Sequence, residues 1–210
     1  FADAMGDPPK YNLRTLDEQT VVDLRAARLA MMEETRRKIG SDKLIVYNGL
    51  MRENREKLLR VTDGAMIEHF GHFNTGSSKE AIAEAIETIQ ATGGDGKIVL
   101  VKAWPGFSFR EEEMMMKPSG ELARLAKERI TFPLACFLVA AQEHCYFCYT
   151  WGYREKLGTF QWYSEFDKSL GPPQGDTKRE GWTFEGEFAQ ASVFVDLETK
   201  IARIDWSREP

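Results

Sequence analysis

Residues 44–70 read LIVYNGLMRENREKLLRVTDGAMIEHF, and this stretch decides the fold class. Leu44, Ile45, Val46 and Tyr47 form an unbroken apolar run closed by Asn48-Gly49. A run apolar on both faces suits a buried strand of a parallel sheet better than a half-solvated antiparallel one. The charged stretch from Arg52 to Arg60 reads as a helix, and Ala65 to Phe70 is β-prone again. Strand, helix, strand is the unit that joins parallel neighbours.

The same alternation continues outward in both directions. Downstream, Ile82, Ala85, Ile86 and Ile89 recur at helical spacing. Ser77 with Glu80 has the form of a capping box at the start of that helix, and Gly93-Gly94 of a stop. Ile98 to Ala103 is another buried strand, Ser119 to Ala141 a long helix interrupted near Pro133, and Tyr146 to Trp151 a further strand. Upstream, Leu16 to Ile39 reads as a helix, with Asp17, Glu18 and Asp23 near its start and Arg36, Arg37 and Lys38 near its end. Val22, Ala26, Leu29 and Met32 supply its apolar stripe, and Phe1 to Met5 reads as the end of one more strand.

Five strands with helical crossovers imply a parallel α/β sheet. No G-x-G-x-x-G and no Walker A pattern follows any of them, which counts against a nucleotide-binding doubly wound fold. Polar residues gather at the strand carboxyl ends: Asp3, Asn48, Glu68 with His69, Lys102 with Trp104, and Tyr149 with Trp151. That is where a (β/α)8 TIM barrel carries its chemistry, so a barrel is the expected architecture. Past Trp151 the pattern changes. LGPPQG at 170–175 is a turn-rich connector, and FEGEF, SVFVDL and IARIDW are short β-prone pieces, with Asp196 to Lys200 as a turn. Residues 1–160 therefore read as barrel and 161–210 as a small antiparallel β appendix.

Bulk properties narrow the function classes. A chain 42% hydrophobic and 11% aromatic can build a core, which excludes a disordered segment. The formal net charge of −5 comes without a basic stripe, so no nucleic-acid partner is expected. The longest apolar run, Phe132 to Ala141, is too short to span a bilayer. The chain opens on Phe1 with no leader pattern, so an upstream segment is expected. Cys145 and Cys148 form a C-x-x-C without a second pair, and with Cys136 they read as buried structural thiols. Glu68, His69 and His72 lack the spacing of a helical metal motif, so neither metal nor cofactor is expected.

Asp3 and Glu68 end strands separated by one other and could face each other across a barrel mouth. Two carboxylates about a glycosidic bond are the minimum for its hydrolysis: a protonated acid for the leaving oxygen, and a nucleophile or base. Glu68 is read as the acid and Asp3 as nucleophile or base, with exchange of roles open. The plainer alternative is that each is a salt-bridged or capping carboxylate. Asn48 could bind a sugar hydroxyl, against a simple Asn-Gly turn. His69 follows Glu68, and strand neighbours point to opposite faces. Trp104, Tyr149 and Trp151 offer flat faces to a pyranose, against plain core packing. Lys102, charged at the end of a buried strand, requires a partner such as a carboxylate in the site.

With these residues in hand, the chain resembles the carboxyl-terminal half of the hypothetical TIM-barrel glycosyl hydrolases of polysaccharide-degrading bacteria. FADAM resembles their fourth strand, IVYNG the fifth, AMIEHF the sixth, KIVLVKAW the seventh and CYFCYTWGY the eighth. LGPPQG and FEGEFAQASVFVDL resemble their connector and final β segment. The resemblance implies a glycosidase lacking its first three strands here. It implies Asp3 and Glu68 as the acidic strand ends, an oligo- or polysaccharide substrate, and a secreted or periplasmic location. The rivals are a metal-dependent barrel hydrolase, a non-catalytic carbohydrate-binding protein, and an inactive barrel fragment.

Overall fold

The computed structural model describes residues 1–2, 16–70, 78–159 and 161–207. Asp3, His72, Ser77 and Phe160 lie outside the described residues. The first helix, α1 (Glu18–Ile39), starts at Asp17, whose carboxylate accepts from Thr20 N and Oγ1. Capping of this kind satisfies an amide that the helix itself leaves unbonded. The expected stripe is only partly covered: Met32 is buried and Leu29 half-buried, but Val22 and Ala26 are exposed.

Strand β1 (Val46–Asn48) is shorter than the apolar run, and Leu44 is exposed. The run breaks because Ile45 N is bonded to the Asp63 carboxylate at 2.6 Å rather than to a strand. Arg36 also binds Asp63 and donates to Gly40 O and Lys43 O, tying the end of α1 to the start of the sheet. Burial alone would raise the Asp63 carboxyl, but the Ile45 amide and Arg36 outweigh it and hold it below its ordinary value. Helix α2 (Arg55–Val61) crosses to β2 (Gly64–Phe70), and α3 (Lys79–Gly94) to β3 (Ile98–Ala103). The cap of α3 is Ser78, which accepts from Ala81 N, not Ser77. The helix runs through both glycines of the expected stop and ends before Gly96, whose φ of 75° is left-handed.

Helices α4 (Glu112–Met115), α5 (Ser119–Arg129) and α6 (Thr131–Leu138) lead to β4 (Cys145–Tyr149). The single long helix expected over 119–141 is two. Pro133 lacks the amide that would bond to Arg129 O, and its ring crowds that carbonyl, so the break falls at Ile130. β5 (Lys178–Glu180), β6 (Thr183–Phe188), β7 (Ala191–Asp196) and β8 (Ile201–Trp206) form a separate antiparallel meander. Asp196 accepts from Glu198 N and Thr199 N to make the β7–β8 turn. The meander packs through β7 and β8 on α6.

The first sheet has the order β1-β2-β3-β4, all parallel and sequential. Ala2 adds a parallel bridge to Tyr47 on the outer side of β1. A doubly wound sheet reverses its order at a switch point, and no reversal occurs among the described strands. The two faces differ. Tyr47, Ala65 and Val99 stand in register and are buried, as are Ile67 and Val101. The other face carries Asn48, Met66, Leu100 and Tyr146, also in register, and these are half-buried or exposed. Among the described residues, helices cover one face only.

Candidate functional site

The site lies at the carboxyl end of the parallel sheet, on the face the helices leave uncovered. β1 brings Asn48 to it. Asn48 Nδ2 donates to Glu68 Oε2 at 2.7 Å, and Glu68 Oε1 accepts from Tyr153 OH. The β2–β3 register shifts between Ile67 and Phe70. An irregularity of this kind re-aims side chains, and it answers the alternation problem: both Glu68 and His69 reach the site. His69 Nε2 stands 3.7 Å from Glu68 Oε2, and its ring stacks on Trp104 with centroids 5.5 Å apart.

β3 brings Lys102 and, one residue beyond its end, Trp104. The Trp104 indole donates to Glu68 O at 3.0 Å. Trp104 is buried, so it serves as the site's wall and not as an open platform for a sugar. Lys102 Nζ lies 3.0 Å from the Trp104 ring centroid and 4.7 Å from that of Tyr153. Lys102 is 4% exposed, and among the described residues its Nζ has no hydrogen-bond partner. Burial pushes its ammonium down to about 7, against the pull of the groups at Cys148 and Glu68. The sequence reading expected a partner for Lys102, and two aromatic faces stand where it would be.

The loop after β3 is fixed by Arg129, which donates to Pro105 O, and by Phe109 N, which donates to Trp151 O at 2.8 Å. Phe109 thereby meets Tyr153 edge-on, centroids 5.5 Å apart. The turn after β4 is held by Thr150 Oγ1, which donates to Gly152 O and Leu157 O. That turn presents Tyr153 to Glu68.

Two expected binders fall elsewhere. Tyr149 is buried on the helix-covered face and donates to Ala126 O at 2.9 Å. Trp151 is buried against Phe107 and the left-handed Gly158, where a Cβ would strike the indole. Both belong to the core because each alternates away from the face that bears Glu68. Asp3 lies outside the described residues, next in sequence to the bridged Ala2.

Sequence reasoning missed Tyr153 and Phe109. The available signal for Tyr153 was its place two residues past a strand-end aromatic, in TWGY. The thiols also need correction: Cys136 is buried, Cys145 half-buried and Cys148 exposed. A spacing of three on a strand sends two side chains to opposite faces. Cys145 accordingly sits toward Gly93 of α3, while Cys148 is in register with Lys102. Among the described residues no three His, Cys, Asp or Glu side chains gather as a metal site, and no helix is long and apolar enough to cross a membrane.

A carboxylate whose two oxygens accept from an amide and a phenol, walled by aromatics and beside a histidine and a buried lysine, is equipped for acid–base or nucleophilic work. No curated protein matches the chain. A family model does, over residues 2–192, and the chain belongs to hypothetical glycosyl hydrolase family 15.

Proposed function

We propose that the protein hydrolyses an O-glycosidic bond of an oligo- or polysaccharide, with Glu68 and Asp3 as its two carboxylates. The observation that carries this reading is the Glu68 carboxylate, gripped by Asn48 and Tyr153 at a strand's carboxyl end in a glycosyl hydrolase family member. Both Glu68 oxygens are engaged as acceptors, the part an ionised carboxylate plays. This favours Glu68 as nucleophile or base and leaves proton donation to Asp3, the reverse of the assignment made from sequence. Asn48 and Tyr153 orient the carboxylate, and Trp104 and His69 wall it.

The architecture we infer is a (β/α)8 barrel, to which β1 to β4 and the Ala2 pairing contribute wall. Sequential parallel order supports it. So does the uncovered face: Met66, Leu100 and Tyr146 are apolar where a barrel turns side chains inward. Parallel sheets are otherwise covered on both sides.

The test is release of new reducing ends from a panel of polysaccharides and aryl glycosides, with the wild type beside Glu68→Gln. The wild type is expected to act on at least one substrate, and Glu68→Gln to lose about 10²–10⁴-fold in rate. Equal turnover by the two proteins would remove Glu68 from the chemistry.

A further inference from the structure

Among the described residues, Lys102 is a buried charge without a polar partner. Its side chain points to the uncovered sheet face, in register with Cys148 and within electrostatic reach of Glu68. It is almost fully buried, and among the described residues it makes neither hydrogen bond nor ion pair. An ammonium left dry and unbonded is strongly disfavoured. Two rings offset part of that cost by cation–π attraction, Trp104 at 3.0 Å and Tyr153 at 4.7 Å. Neither ring accepts a full hydrogen bond. The Glu68 carboxylate, within electrostatic reach of Lys102, accepts from Asn48 and Tyr153.

We propose that Lys102 receives an anionic substituent of the sugar, so that the glycan acted on is acidic. The inference rests on the glycosidase reading of the same site. The group it would take is a sugar-borne carboxylate, as in a hexuronic acid, or a sulfate ester. Either would supply the acceptor oxygens that Nζ lacks, and a charge-assisted bond is among the stronger polar contacts. Of the two rings about Nζ, Trp104 is buried and Tyr153 is 49% exposed, so the approach from solvent runs along Tyr153. Among the described residues, the titratable groups about Lys102 are Glu68 from β2, Cys148 from β4 and Tyr153 from the following turn, with His69 beside Glu68. An anion bound there would pull the lysine proton back on, because an opposite charge favours the charged form.

The experiment is calorimetric titration of the full chain with matched sugars: glucuronic acid, glucose and glucose 6-sulfate, then galacturonic acid and galactose. Each titration is repeated in buffers of different ionisation enthalpy. At least one acidic sugar is expected to bind about tenfold or more tighter than its neutral partner. Binding near pH 8 should be accompanied by proton uptake, and the carboxylate and sulfate arms tell which anion is preferred. Lys102→Met and Lys102→Gln should each abolish the preference. The proton uptake is read on the wild type, so the proposal stays testable should either Lys102 variant fail to fold. Neutral sugars binding as well as acidic ones, or no sugar binding, overturns it. So does a preference that survives loss of Lys102. Hydrolysis of neutral glycans without acid preference overturns this inference alone. Acid-selective binding without hydrolysis of any glycan overturns the glycosidase reading alone.

Discussion

Lys102 is a residue costly to the fold that stands in the candidate site. Its ammonium is pushed down to about 7 by burial. Above that pH the unfolded chain still holds a proton there that the folded chain has released. The folded state therefore gains stability from this group as pH rises from about 7 toward the ordinary lysine range, where the gain levels off. Lys102→Met removes the buried charge and keeps the volume. It should raise stability near neutrality by about 1–4 kcal/mol and flatten the alkaline rise. Urea denaturation of both proteins at about pH 6.5 and about pH 9 measures this. A variant less stable than the wild type, or one with the same pH slope, contradicts the burial argument. The sequence singled out Lys102 because a charge ending an apolar strand needs a reason, and the side chain stands beside Trp104 and Tyr153. The sequence could not show that the neighbours would be ring faces, because Tyr153 comes from another loop.

At the scale of elements, the strands were legible and their edges were not. KIVLVKAW became β3 with the boundaries its apolar run gave. LIVYNG did not keep Leu44, because Asp63 captures the Ile45 amide from across the α2 crossover. The α1 stripe failed for a similar reason: periodicity tells which residues share a face, not whether a neighbour covers it. Among the described elements only α2 packs substantially on α1. Tyr149 and Trp151 were assigned to the site by residue type, yet pleat alternation puts them in the core. One contact between elements is set by a missing atom. A Cβ at Gly64 would collide with the Ile98 carbonyl oxygen, a backbone group that cannot turn aside. Gly64→Ala should push β2 from β3 at their amino ends and cost about 1–3 kcal/mol in thermal or urea unfolding. An unchanged midpoint would show that this backbone approach is slack.

Across the whole molecule, one asymmetry joins the fold to the function. Helices cover the Tyr47, Ala65 and Val99 face, and the Asn48, Glu68 and Lys102 side chains all stand on the other. The mixed α/β class and the antiparallel tail were readable from alternating patterns, and the family from motifs spread along the chain. The grouping of Glu68 with Asn48 followed from their places at neighbouring strand ends. The hydrogen bond from Tyr153 did not, since it depends on how Thr150 folds its turn. An acidic glycan also raises a chemical choice, because linkages beside a uronic acid can be broken by elimination as well as by water. The deciding measurement is mass spectrometry of the products formed in ¹⁸O-labelled water. Hydrolysis puts one labelled oxygen on each cleaved linkage, and the incorporation should disappear in Glu68→Gln. Products that form without label, or label that persists in that variant, would contradict a two-carboxylate glycosidase built on Glu68.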